Sequence, residues 1–251
     1  MTRIKKEEEK TNLNSLIRSY LASYNSGYYF SDKKIIEQIT NILNSNIEDE
    51  VKKSDIVLTF ISEVAKENNG IITNKMLKPF GYSREYLNLM VKSNILDRVD
   101  RGIYCLNNFH EDSYYIFQQK YTKAIFSHMN SLYFYKLTEE YPTPLTITIP
   151  ASYHVDKLDT RCQIYYANKD IYNLGTTTVS TPYGNHVVCY DVERTICDII
   201  KDQNKLDFEQ IKKSVRKYMG SNVKDIYKLS NYARQMKIEN KVMSFVGMYS
   251  E

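Results

Sequence analysis

The sequence predicts an α+β protein, with helices and strands segregated along the chain. Three observations carry this. The first seventy residues place apolar side chains at helical spacing. "ILDRVDRGIYCL", Ile95 to Leu106, alternates around Asp100-Arg101-Gly102 in the manner of a β-hairpin. Further on, "PLTITIP", "CQIYYA" and "TTTVSTPYGNHVVCY" read as strands, and the chain closes with four helical stretches. The predicted organisation is an accessory pair of helices in 1–50, a small helix–hairpin domain in 51–106 and a mixed α/β domain ending in helices in 107–251. The last boundary falls at the polar joint "NNFHEDS".

Composition narrows the function classes. The 251 residues are 42% apolar, enough for a core and against wholesale disorder. The net charge of +4, from 34 basic and 30 acidic residues, is too mild to name a partner, so charge placement decides. Cys105, Cys162, Cys189 and Cys197 form no C-x-x-C pair and there are only four His, so neither a metal site nor a cofactor is expected. Dispersed thiols and the charged opening "MTRIKKEEEK", with no apolar run behind it, point to the cytoplasm. No run approaches the roughly 18 apolar residues of a membrane span.

The elements follow in order. Leu13, Leu16, Ile17, Tyr20, Leu21 and Tyr24 mark a first helix. Ser31 and Asp32 are set to cap a second, carrying Ile35, Ile36, Ile39, Ile42 and Leu43. A third runs from about Glu48 to Asn68 and stops at Gly70, a residue suited to a left-handed end. Thr73 caps a short turn of helix that Pro79 and Gly81 end. Ser83 caps the next helix, with Tyr86, Leu87, Met90 and Val91 facing inward. In the second half, a helix holding Tyr133, Phe134 and Leu137 precedes the strands. The closing helices are 191–201, 207–219, 223–236 and 238–248, and Asp207 and Gln210 have nearly capping-box spacing.

Helix, short helix, capped helix and basic hairpin is the order of a winged helix-turn-helix. In that motif the second helix of the pair enters the major groove and its N-terminal residues reach the bases. Here those residues are Ser83, Arg84, Asn88 and Lys92, the last three spaced by four on one face. Arg suits bidentate contact with guanine and Asn with adenine, while Lys suits phosphate. Ser83 lies where free backbone N–H groups favour an anion. Arg98 and Arg101 flank the hairpin turn. Residues 71–105 carry a net +3 of the chain's +4. The rival reading is a solvated basic helix in a unit that only packs, and Glu85 at the groove-facing end favours it unless that carboxylate reads cytosine.

The second half offers no catalytic constellation. "YDVERTICDIIK" holds Asp191, Glu193, Arg194, Asp198 and Lys201, the residue types of a Mg²⁺-dependent nuclease. The spacing favours a structural reading: Asp191 caps the helix and Arg194 with Asp198 forms a surface ion pair. Ser127 and His128 are adjacent, and adjacent residues on a helix diverge too far to act as nucleophile and base. His154 and His186 lie beside strands with no partner at ligand spacing.

Several stretches together resemble the AbiEi family, the antitoxins of bacterial abortive-infection toxin–antitoxin systems. "ENNGIITNKML" with "GYSREYLNLMVKSNILDRVDRGIY" resembles the family's winged helix-turn-helix. "FSHMNSLYFYKLTEEYPTPLTITIP" resembles a second family segment, with Met129 and Asn130 where Glu and Thr are common. "TPYGNHVVCYDVERTICDII" resembles a third and is the most specific. The likeness runs from about Asp55 to Met219; the extra N-terminal helices lie outside it. It implies a non-enzymatic protein that binds double-stranded inverted repeats in its own promoter and represses the operon. It implies that the C-terminal domain counteracts a nucleotidyltransferase-like toxin without a stable complex, the type IV pattern. The DNA-reading residues would be Lys75, Ser83, Arg84, Asn88, Lys92, Arg98 and Arg101. Asp191, Glu193, Arg194 and Asp198 would be signature residues that hold the C-terminal fold together. The alternative is a winged-helix regulator whose second domain senses a ligand or dimerises, with no toxin.

Overall fold

The computed structural model describes residues 3–26, 33–45, 50–153 and 162–249, with the side chains of 3–10 and 50–53 excepted. The expected cap at Ser31 and Asp32 and the histidine at 154 lie outside the described residues. The chain forms two compact units: residues 1–119 with 182–185, and residues 120–181 with 186–251.

The first unit contains α1 (Arg3–Asn25), α2 (Lys33–Ser45), α3 (Glu50–Glu67), β1 (Ile71–Thr73), α4 (Asn74–Leu77), α5 (Arg84–Lys92), β2 (Leu96–Asp100), β3 (Ile103–Leu106) and most of α6 (Ser113–Lys120). A 3-10 turn, Lys78–Phe80, links α4 to α5. Helical spacing puts Ile17, Tyr20, Leu21 and Tyr24 on one side of α1, all buried. Val57, Phe60, Ile61 and Val64 do the same on α3.

α1 packs within this unit. Its Tyr20 hydroxyl donates to the Met76 carbonyl at 2.8 Å, and Tyr24 Oη lies 3.1 Å from Thr73 Oγ1. Tyr20 also meets the edge of Phe80 with ring centroids 5.1 Å apart. The unit continues past Asn107 because α6 buries Tyr114, Tyr115 and Phe117, and the Tyr115 hydroxyl donates to Asn25 Oδ1 at 2.8 Å.

The sheet of this unit has the order β1-β3-β2 and is antiparallel throughout. β1 is a strand only because β3 offers it partners: Ile71 faces Cys105 and Thr73 faces Ile103. The loop 182–185 belongs to the same unit. The Asn185 amide donates to Asp112 Oδ2 at 2.9 Å, and Asp112 Oδ1 accepts from the backbone N–H groups of Tyr114 and Tyr115 at the start of α6. Asn69 Nδ2 donates to Asn185 Oδ1 at 3.3 Å.

The second unit runs β4 (Ile125–Phe126), α7 (His128–Phe134), β5 (Leu145–Pro150), β6 (Cys162–Ala167), α8 (Lys169–Tyr172), β7 (Thr176–Ser180), β8 (His186–Tyr190), α9 (Val192–Lys201), α10 (Phe208–Met219), α11 (Ile226–Gln235) and α12 (Glu239–Gly247). Its mixed sheet has the order β6-β5-β4-β8-β7. The centre is the two-residue β4, antiparallel to β5 and parallel to β8. The closing helices pack around Ile196, Ile200, Val215, Tyr218, Leu229 and Val246, all at most 1% exposed. Asp207 caps α10, accepting from the Gln210 N–H at 3.0 Å, while the Gln210 side chain turns to Glu140 instead of completing a capping box. Among the described residues no helix is long and apolar enough to cross a membrane.

Candidate nucleic-acid interface

Two caps set the geometry of α4 and α5. Thr73 Oγ1 accepts from the Met76 N–H at 3.3 Å, and Ser83 Oγ accepts from the Glu85 N–H at 3.3 Å. Gly81 between them has φ 73°, the left-handed conformation that lets the chain turn from one helix to the next. An aromatic chain fixes where α5 begins. Phe60 meets the edge of Phe80, Phe80 stacks on Tyr82, and Tyr82 meets the edge of Tyr86 on the first turn of α5.

α5 then divides cleanly. Leu87 and Met90 are at most 1% exposed, and Tyr86 and Val91 are half-buried. Arg84, Glu85, Asn88, Leu89 and Lys92 are all exposed. At about 100° per residue these five fan over roughly 140° of the helix surface. Among the described residues, none holds the side chain of Arg84, Asn88 or Lys92 in a hydrogen bond or ion pair. Ser83 spends its hydroxyl on the helix cap and on Glu85, whose Oε2 lies 3.4 Å away. Lys75 is exposed on α4. Leu89, an apolar residue that its spacing does not mark as a contact, is 49% exposed on the same fan.

The hairpin is pinned at its turn. Asp100 Oδ1 accepts from the Arg101 N–H at 2.6 Å, and the Gly102 carbonyl accepts from the Asn74 N–H at 3.0 Å. Gly102 has φ 75°, and a Cβ there would stand 3.0 Å from Asn74 Nδ2, so the turn sits directly on the start of α4. Arg98 and Arg101 are exposed; the Arg98 guanidinium donates to the Asp100 carbonyl at 3.4 Å.

Residues 60–107, from the middle of α3 to the end of the hairpin, match the family described as AbiEi antitoxin, transcriptional regulator. Over this segment the chain is similar to that family. Among curated proteins, none matches the chain.

The match ends before the other AbiEi-like stretches, so their residues stand on their geometry alone. Arg194 and Asp198 pair on α9 at 3.1 Å, but not on a surface: they are 1% and 3% exposed. Spacing alone made them a surface pair; the adjoining segment 171–174 covers them. Arg194 Nη1 donates to the carbonyls of Ile171 at 2.5 Å and Leu174 at 3.0 Å, and the guanidinium lies 4.1 Å from the Tyr190 ring centre. Gly175 is required beside it, since a Cβ there would come within 2.6 Å of Arg194 Cβ.

Asp191 caps α9 through the Arg194 N–H at 2.9 Å, and its other oxygen accepts from the Tyr232 hydroxyl at 3.1 Å. The lysine that meets these carboxylates is Lys228, not Lys201. Its ammonium stands 3.1 Å from both Asp191 and Glu193. Burial would lower the Lys228 pKa, but the two carboxylates outweigh it and hold the group above its ordinary value. A lysine on the first turn of a different helix, α11, leaves no spacing signal in the sequence. Among the described residues, no three His, Cys, Asp or Glu side chains gather as a metal site.

One further expectation is corrected. Ser127 and His128 do meet, with Oγ and Nδ1 2.9 Å apart, because Ser127 is extended ahead of α7 and His128 has φ 47°. The helical divergence of neighbours does not apply at a cap. His128 Nε2 lies 3.5 Å from Asp202 Oδ2, and Thr148 donates to Ser127 Oγ at 2.9 Å. Hydroxyl, imidazole and carboxylate are thus in line, but Ser127 and His128 are at most 1% exposed, and the row braces the sheet. Asn130 joins it: its Oδ1 accepts from the Thr146 N–H at 2.5 Å. His186 has a cross-strand neighbour in Ser180, 3.4 Å away.

Proposed function

We propose that this protein is a DNA-binding antitoxin and autorepressor, reading inverted repeats in its own promoter with α5 in the major groove and the β2–β3 hairpin as the wing. The observation that carries this is one coincidence. The AbiEi match covers the same residues in which α5 turns Arg84, Asn88 and Lys92 outward, without partners among the described residues, over a fully buried Leu87 and Met90. The three side chains are the ones that suit guanine, adenine and phosphate. Arg98, Arg101 and Lys75 supply backbone contacts, and Ser83 sets the helix start from which they project.

The second unit works by binding rather than catalysis in this reading, counteracting a nucleotidyltransferase-like toxin without a stable complex. Asp191, Glu193, Arg194 and Asp198 serve as its internal framework. The free thiols of all four cysteines fit a cytoplasmic protein.

The test is a mobility-shift titration of the full chain on DNA upstream of its own gene. Arg84→Ala and Asn88→Ala should each erode the preference for the repeats over unrelated DNA, a bidentate base contact carrying about 1–3 kcal/mol of discrimination. Lys92→Ala and Arg101→Ala should weaken binding evenly and each reduce the salt slope by about one. Unchanged binding by an Arg84/Lys92/Arg101 triple alanine variant would refute the reading. Growth on co-expression with the neighbouring gene product tests the antitoxin half.

A further inference from the structure

We infer that Leu89 reads the 5-methyl group of a thymine, so that the recognition face of α5 carries an apolar base contact beside its polar ones. This rests on the proposed placement of α5 in the major groove.

The argument begins with the two rows that make up the exposed fan. Arg84, Asn88 and Lys92 form one row, and Glu85 with Leu89 forms the other, each stepping four residues along the helix. The first row carries two cations beside Asn88, so it serves base and phosphate contacts alike. The second carries none. The Glu85 carboxylate is repelled by phosphate and is matched in the groove by the amino group of cytosine. Leu89, directly one turn beyond it, has no polar atom to offer phosphate, sugar or water. A row made of a carboxylate and an isobutyl group is compatible with base edges and incompatible with backbone. In the major groove the apolar group that projects from a base edge is the thymine methyl.

Exposure separates Leu89 from its apolar neighbours on the helix. Leu87 and Met90 are 0% and 1% exposed and hold α5 to the unit, whereas Leu89 is 49% exposed and adds little to that packing. The basic surroundings name the occupant. Arg84 and Lys92 on α5, and Lys75 and Lys78 on and after α4, are exposed cations on the same short segment. An acidic polymer suits them, while an apolar protein partner does not. Four residues of helix rise about 6 Å, against 3.4 Å per base-pair step. The thymine met by Leu89 therefore lies one or two steps from the cytosine met by Glu85.

The experiment uses the full-length protein and duplexes that it enriches from a random-sequence pool. Each thymine of an enriched duplex is replaced in turn by uracil, which removes the 5-methyl group and nothing else. One thymine per half-site should lose about fourfold in affinity on replacement, the worth of one buried methyl-sized group. Leu89→Ala should bind the thymine duplex about fourfold or more weakly and be indifferent to uracil at that position, while Leu89→Met keeps the sensitivity. Circular dichroism on both variants confirms the fold. A flat uracil scan in the parent protein, or a Leu89→Ala variant that stays sensitive at the same thymine, overturns the inference. In either case, loss of binding by the Arg84/Lys92/Arg101 variant leaves the DNA-binding reading standing. Failure to enrich any sequence overturns both.

Discussion

Asp202 shows how much one carboxylate can hold in place. His128 begins α7 in the left-handed region, at φ 47°, a conformation that costs a non-glycine residue about 1–3 kcal/mol. Its ring is trapped on three sides: Ser127 at Nδ1, Asp202 at Nε2, and the face of Tyr165 with centroids 3.4 Å apart. Asp202 also accepts from Lys205 at 2.8 Å. Burial alone would raise its pKa, but His128 and Lys205 prevail and hold the carboxyl well below its ordinary 3.8. The sign follows. A carboxyl whose folded pKa is depressed contributes stability above about pH 3.8, and the contribution is lost as pH falls through the folded value. Asp202→Asn should therefore cost about 2 kcal/mol at pH 7 and less at pH 3. Urea unfolding at both values checks it; an equal loss at both would mean that the charge is not what stabilises the site.

At the scale of elements, α1 separates what the sequence displays from what it hides. Ile17, Tyr20, Leu21 and Tyr24 announce a helix by their spacing. Nothing local announces that this stripe packs in the same unit as Thr73 and Met76, because a contact across fifty residues leaves no periodic trace. The same distinction runs through the fold. The caps at Thr73, Ser83 and Asp191 and the hairpin at Gly102 were legible, since each needs a particular residue type at one position. β4 was not, because two residues show no alternation. Arg194 was not either, because burial by a neighbouring segment is invisible to spacing. Of the candidate site, the polar row of α5 was legible and Leu89 was not, since an apolar residue in a helix is first read as core. The packing of α1 yields a prediction. Ile17 is fully buried, so Ile17→Ala should destabilise the first unit by about 2–5 kcal/mol. Thermal unfolding should fall accordingly, while DNA affinity well below the transition stays at its parent value. A normal melting temperature would return α1 to the status of an accessory.

At the scale of the whole molecule, the position of the break decides how the chain can be cut. A fragment from Asn107 takes α6 away from Asn25 and Asn68, to which the Tyr115 hydroxyl is bonded at 2.8 and 3.4 Å. It also takes Tyr114, Tyr115 and Phe117, which are 1%, 1% and 7% exposed in the intact chain, out of the first unit. An exposed aromatic patch of that kind promotes association. A fragment from Lys120 leaves these rings behind. It keeps the closing helices and the five-stranded sheet, but it deprives Asn185 of Asp112 and Asn69, its partners at 2.9 and 3.3 Å. The shorter fragment should thus be the better behaved of the two, monodisperse where the longer one aggregates and binds a hydrophobic dye. Its weak point should be the turn at Tyr183 and Gly184, no longer tied through Asn185. Limited proteolysis reads this directly: cleavage at the turn should be fast in the Lys120 fragment and slow in the full chain, where Asn185 is 2% exposed. Equal cleavage in both, or a monodisperse fragment from Asn107, would show that α6 and this loop do not depend on the first unit. If the folded Lys120 fragment also restores growth to cells expressing the neighbouring gene product, protection resides in the second unit and DNA binding is separable from it.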